Sequence, residues 1–188
     1  MTGRLFLVVG PSGAGKDTLL DAAKEHFAGS EDVYFPQRYI TRNENAGGED
    51  HIAVDEYKFE LLRLQAQFAF YWGAHDLKYG VPHTIDDYLN RGTNVVVNVS
   101  RGVIEFVREH YDDVTVISIK VSPDELELRL RARGRENDDD IAQRLERARA
   151  FNVVGPYVVE IDNSANLEQS VKAFIATIST PNDFERSA

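Results

Sequence analysis

The apolar run RLFLVV (residues 4–9) leads without a break into GPSGAGKD (residues 10–17), and Leu19, Leu20, Ala23 and Phe27 follow at helical spacing. A continuous apolar run of this length suits a strand covered on both faces, hence a parallel strand inside a sheet. A Gly10-x-x-x-x-Gly15-Lys16 loop between strand and helix turns backbone N–H groups inward around phosphates, and the lysine neutralises β and γ oxygens. The dipole of the following helix adds to this. Gly10, Pro11, Ser12, Gly13, Ala14, Gly15, Lys16, Asp17 and Thr18 are therefore the expected nucleotide-binding residues, with Lys16 also acting in catalysis. The competing reading, a glycine-rich turn with an incidental lysine, lacks a reason for the strand and helix on either side.

The loop ends in Asp17, where a hydroxyl residue more often ligates Mg²⁺. A carboxylate is a hard oxygen donor that Mg²⁺ accepts, so Asp17 is the candidate metal residue. Its alternative role is a charge placed favourably at a helix N-terminus. Thr18 is a poorer substitute, being rotated about 100° further round the helix.

Downstream, VYFPQRYI (residues 33–40) reads as a second strand, with Pro36 marking an edge or bulge. Residues 41–90 are polar and aromatic-rich, as an inserted acceptor-binding region would be. NVVVNVS (residues 94–100), VTVISIKV (residues 114–121) and YVVEI (residues 157–161) supply the third, fourth and fifth strands. Ser122, Pro123 and Glu125 open a helix with a capping box and a proline at its first position. GRENDDD breaks that helix, and an arginine-rich one with an acidic first turn starts near Asp139. Asn166 and Gln169 cap the last helix, and the chain after Thr180 is expected to fray. Strands alternating with helices predict an α/β fold: a five-stranded parallel sheet with helices on both faces, in one domain of 188 residues.

The formal net charge of −10 argues against sequence-independent nucleic-acid binding. It leaves room for an anionic small molecule, because clustered arginines focus positive potential in a cleft. The absence of cysteine rules out disulfides, thiolate nucleophiles and cysteine-bound zinc. No stretch approaches the ~20 apolar residues of a membrane span, so a cytoplasmic protein is expected. His51, His75 and His83 match no zinc spacing. Seven arginines fall between Arg129 and Arg149. Arg129, Arg131, Arg147 and Arg149 read as solvated helix faces. Arg133 and Arg135 flank Gly134 and, with Arg144, suit a mobile lid over residues 133–143 that closes onto a transferring phosphoryl group.

The RL..RGRE....I..RL..A pattern (Arg129 to Ala148), the phosphate loop, YITR (Tyr39 to Arg42) and YWGAHDLKYGV (Tyr71 to Val81) resemble the guanylate kinase superfamily over nearly the whole chain. This implies a P-loop NTPase fold. Departures fall where that family reads guanine. Its base-binding Glu is Phe70 here, its Thr or Ser is Val81, and its acid pair is Asn98 and Ser100. GPSGAGKD, RYITR, HIA, YGV, VNVSR and RGREN together are similar to the ribose 1,5-bisphosphate phosphokinases of phosphonate catabolism. That resemblance implies transfer from ATP, with Mg²⁺, to the 1-phosphate of ribose 1,5-bisphosphate, giving 5-phospho-α-D-ribose 1-diphosphate. Lys16, Arg135 and Arg144 are then catalytic, Arg133 and Asn163 belong to the ATP side, and Arg38, Arg42, Tyr79, Asn98 and Arg101 to the acceptor side. Partners are small molecules, without nucleic acid or membrane, and a homodimer is compatible with the sequence. A guanylate kinase, or a non-catalytic guanylate-kinase-like binding module, are the alternatives. The first must explain Phe70 and Val81; the second must explain an intact phosphate loop.

Overall fold

A computed structural model of the chain describes residues 2–43, 50–134 and 137–180. The expected catalytic Arg135, and the tail expected to fray, lie outside these residues. The first strand, β1 (Leu5–Val9), is buried along its whole length, as its unbroken apolar run requires. The loop carries the chain into α1 (Lys16–His26), whose Leu19, Leu20 and Ala23 face inward. Then come β2 (Val33–Tyr34), β3 (Tyr39–Ile40), β4 (Ile52–Ala53), α2 (Glu56–Leu64), β5 (Phe68–Ala74), β6 (Leu77–Pro82) and α3 (Ile85–Asn90). The remainder is β7 (Asn94–Asn98), a 3₁₀ turn at Arg101–Val103, α4 (Ile104–His110), β8 (Val114–Lys120), α5 (Pro123–Arg133), α6 (Asp138–Arg149), β9 (Val158–Asp162) and α7 (Leu167–Ile178).

Five parallel strands form the main sheet in the order β2-β7-β1-β8-β9. Alternation along β1 splits the core. Phe6 and Val8 pack with Leu19, Leu20, Phe174 and Ile178 from α1 and α7. Leu5, Leu7 and Val9 pack on the other face with Ile85, Leu89, Ile104 and Val107 from α3 and α4.

The expected second strand over residues 33–40 is a correction. It is two short strands in two sheets: β2 pairs with β7 in the main sheet, whereas β3 pairs with β4 and β6 in a second sheet ordered β4-β3-β6-β5. Pro36, which has no N–H for a ladder, lies between them. The β5–β6 hairpin turns on His75 and Asp76, with φ of 53° and 58°, the paired left-handed conformation of a two-residue type I′ turn.

The helix starts follow their caps. Ser122 Oγ accepts from the Glu125 amide, and Pro123 opens α5. The reciprocal half of that box is replaced: the Ser122 amide donates to Ser164 Oγ, while the Glu125 carboxylate pairs with Arg129. Asn137 forms a complete capping box with Asp140, so α6 starts at Asp138. Gly134, with φ 62°, ends α5 in the left-handed conformation that a residue without Cβ adopts at little cost. Asn166 caps α7 through the Gln169 amide. The fifth strand begins one residue late, because Tyr157 sits at φ 53°.

Candidate active site

The phosphate loop sits at the carboxyl end of β1, the end at which ligands bind in open α/β sheets. Gly15 enters α1 at φ 90°, and a Cβ there would collide with the amide of Asn163. Lys16 folds back over the loop, its Nζ donating to Gly10 O at 2.8 Å and Pro11 O at 3.1 Å. Ala14 is fully buried, so its methyl anchors the loop in the core.

Two side chains brace this turn from below. Asn163, expected at the adenine, is 2% exposed and donates through Nδ2 to Ala14 O at 2.8 Å. Arg129 donates to Ala14 O at 3.4 Å, to Asn163 O at 2.7 Å and to Glu125 at 2.8 Å. The reading of Arg129 as a solvated helix residue is therefore corrected. It stands one helical turn before Arg133 on the same face of α5 and locks the loop to β9.

Ser12, Gly13, Gly15, Lys16, Asp17, Thr18, Arg42, His75, Asn98 and Arg133 line one cavity of about 260 Å³. Residues expected on the nucleotide side and on the acceptor side thus meet at one place. Arg144 reaches the same rim, where Nη1 donates to Ser12 Oγ at 2.8 Å. A larger cavity of about 620 Å³ opens beside Gly3 and Leu5, at the opposite end of β1, far from the loop. The candidate phosphate-handling residues line the smaller one.

Among the described residues, Lys16, Arg42 and Arg133 line this cavity with one carboxylate, that of Asp17. The local field is cationic in a chain of net charge −10. Nε and Nη2 of Arg42 are buried and make no hydrogen bond among the described residues. Buried guanidinium donors are costly unless an anion satisfies them, so the site fits a phosphate. The described residues contain no group of three or more acidic or histidine side chains that could cage a metal. Mg²⁺ in phosphate sites needs no such cage, only one or two carboxylates beside phosphates and water. Asp17 meets that requirement, with Oδ1 3.5 Å from Asn98 Nδ2.

Three expected acceptor residues lie differently from Arg42. Arg38 is 7% exposed, donates to Asn98 O at 2.6 Å and lies over the rings of Trp72 and Tyr79. Tyr79 stacks on Trp72, its register partner in the hairpin. The structure does not bring Arg101 into the cavity. Its guanidinium donates to Ala150 O and Asn152 O at 3.3 and 3.4 Å and covers Phe151, tying the 3₁₀ turn to the segment after α6. The sequence assigns no role to His75, which the hairpin turn carries into the phosphate cavity. Its signal was present in the two polar residues, His75 and Asp76, between apolar β runs.

The family model for guanylate kinase matches residues 2–180. The chain belongs to the guanylate kinase family. A guanylate kinase from Anaplasma phagocytophilum shares the fold, with a TM-score of 0.64 over 94% of this chain and 85% of that one at 20% identity. Similarity in sequence runs higher elsewhere. The ribose 1,5-bisphosphate phosphokinase of Rhizobium etli is 43% identical over 177 residues, 94% of this chain and 89% of that protein. The protein of the same name from Thiobacillus denitrificans is 39% identical over 98% of this chain and 97% of its own length. A bifunctional ribose 1,5-bisphosphokinase-thymidine phosphorylase of Roseobacter denitrificans is 41% identical over 178 residues, 26% of that longer protein.

Within this guanylate kinase fold, Phe70 and Val81 are paired across the β5–β6 ladder at 1% and 0% exposure. Both belong to the core cluster that includes Leu5, Leu7 and Val9. Neither presents a polar atom from its side chain to a base.

Proposed function

We propose that this protein transfers the γ-phosphoryl group of ATP to the 1-phosphate of ribose 1,5-bisphosphate, forming 5-phospho-α-D-ribose 1-diphosphate and ADP. One observation carries the reading. Phosphate-handling cations converge on a single cavity, while the positions that would read guanine form a buried apolar pair. The names of relatives about 40% identical over nearly the whole chain support the same acceptor.

The reaction asks little covalent chemistry of the protein. An oxygen of the 1-phosphate bonds to the γ-phosphorus as the bond to the bridging β–γ oxygen breaks, and ADP leaves with that electron pair. The attacking oxygen is already anionic, so no general base is needed. Catalysis is alignment plus neutralisation of charge. Loop amides and Lys16 hold the β and γ phosphates. Arg133 and Arg144, joined by Arg135 from the lid, meet the charge on the equatorial oxygens. Arg42 takes the accepting phosphate, its buried donors already stripped of water. Arg38 and Tyr79 belong to the same acceptor side. Asp17 would hold Mg²⁺, which when bound neutralises phosphate oxygens. Among the described residues no helix is long and apolar enough to cross a membrane. We place the enzyme in the cytoplasm, where ATP is found, acting on small molecules in phosphonate breakdown.

A panel of acceptors with ATP and Mg²⁺, followed by phosphorus NMR, tests this. Ribose 1,5-bisphosphate should give the two coupled resonances of a new diphosphate, and GMP at equal concentration should give none. Turnover of GMP without turnover of the bisphosphate would overturn the assignment.

A further inference from the structure

Trp72 is the only tryptophan in the chain. It shares one face of β5 with Phe70 and packs against the main core, while a bulge between Phe68 and Phe70 turns Phe68 to the other face. Phe70 lies 6.3 Å from it at 24°, further into the core. On its other side the ring of Tyr79 is parallel to it within 4°, with centroids 5.3 Å apart. The guanidinium of Arg38 is 5.7 Å from the Trp72 ring and 5.3 Å from the Tyr79 ring. Its Nη1 ends on Asn98 O, and the Asn98 amide points at Asp17 of the phosphate-loop helix. One stacked group therefore runs from the buried Phe70–Val81 pair out to the helix that opens the nucleotide site. It joins the residue before β3 to both strands of the hairpin and to the end of β7.

Trp72 does not line the phosphate cavity. Yet it is the common neighbour of two side chains on the acceptor side. A ring held on one face by Trp72 is fixed in plane, and a guanidinium over both rings is fixed in turn. Without the indole, Tyr79 loses its backing and Arg38 loses one of the two faces it covers.

We propose that Trp72 is a positioning residue for acceptor binding, setting the Tyr79 ring and the Arg38 guanidinium, and that its emission reports occupancy of the acceptor site and not of the nucleotide site. The inference rests on the reading of Arg38 and Tyr79 as acceptor-side groups. The observations require an aromatic face at this position, not an indole N–H, so phenylalanine should serve and an aliphatic side chain should not.

The test uses the full-length protein in two arms. In the first, tryptophan emission of the unmutated protein is titrated with ribose 1,5-bisphosphate and, separately, with ATP and Mg²⁺. A saturable change with the bisphosphate, at concentrations near its KM, and little change with ATP are expected. In the second, Trp72→Leu should raise the KM for the bisphosphate by about tenfold, the scale of one desolvated cation–π contact. The KM for ATP and kcat should stay within about twofold, a ratio that amounts to less than half of such a tenfold step in free energy. Trp72→Phe should restore most of the acceptor affinity. If Trp72→Leu folds poorly by thermal denaturation, the emission arm still decides. Normal turnover together with silent emission, or a folded Trp72→Leu of unchanged acceptor KM, overturns the positioning role and leaves the proposed reaction standing. No turnover of ribose 1,5-bisphosphate by the unmutated protein overturns the proposed reaction, and this inference with it.

Discussion

At the scale of single residues, the phosphate loop divides into groups that meet substrate and groups that hold the loop. Lys16 belongs to the first. Its ammonium bonds two loop carbonyls and packs nothing in the core, so Lys16→Met should leave the fold intact and abolish transfer, as an activity assay beside circular dichroism will show. Arg129 belongs to the second. Arg129→Ala removes the donor to Asn163 O and leaves that carbonyl unsatisfied, which costs about 1–3 kcal/mol, while Ala14 O keeps its bond from Asn163 Nδ2. The expected outcome is a lower unfolding midpoint and a raised KM for ATP, with acceptor KM little changed. A midpoint equal to that of the unmutated protein would return Arg129 to the solvated face. The sequence made Lys16 legible and Arg129 illegible for one reason. The motif around Lys16 is local, whereas Arg129 acts on Ala14, 115 positions away.

At the scale of elements, legibility followed length and chemistry of the ends. α5, α6 and α7 carry Ser122, Asn137 and Asn166 at their starts, and side-chain caps are local, so those starts are readable. The two-residue strands β2 and β3 are too short for a period, and their membership of different sheets depends on β7 and β6, far along the chain. On α6, Arg144 is already at the loop through Ser12. Arg144→Ala should lower kcat far more than it weakens ATP binding. A contact made to charge that develops in the transition state is worth about 2.7–4 kcal/mol, or 10²–10³ in kcat. Steady-state kinetics with both substrates separate the two. Beside the second sheet, Glu60 ties α2 to β6 by accepting from Lys78 at 2.9 Å and pairs with Arg63 at 2.7 Å. These hydrogen bonds hold its carboxyl below the ordinary glutamate value. A depressed carboxyl stabilises the fold above its unfolded pKa, and the contribution is lost as pH falls through the folded one. Glu60→Gln should therefore lower the unfolding midpoint slightly at neutral pH, and the difference should vanish on acidification below the folded value. A difference that persists there would assign it to packing.

At the scale of the whole molecule, the proposed function ties acceptor choice to how the second sheet joins the first. Phe70 and Val81 occupy positions that would face a base in a guanylate kinase, yet here they complete the core under β1 and β7. Acceptor choice and stability are therefore coupled at the same residues. Phe70→Glu makes the coupling measurable. It removes a fully buried ring, at about 3–5 kcal/mol, and buries a carboxylate with Val81 as its register partner, at several kcal/mol more. Against a total stability of about 5–15 kcal/mol, the sum takes most of what a domain has. The variant should show a large fall in unfolding midpoint and loss of transfer to ribose 1,5-bisphosphate, and it should gain no activity on GMP. Guanine would still meet Val81 and Asn98, neither of which supplies the acid or hydroxyl its edge requires. Phe70→Leu separates the terms. It keeps the site apolar at moderate cost, so acceptor specificity should persist in a protein of lower midpoint. A folded Phe70→Glu that phosphorylates GMP would show that the base pocket survives intact behind this ring, and would sink the claim that packing excludes the base. The physical expectation is the reverse: a site whose reading groups have become core cannot be restored one residue at a time, because each polar step inward destabilises the sheet that the phosphate loop stands on.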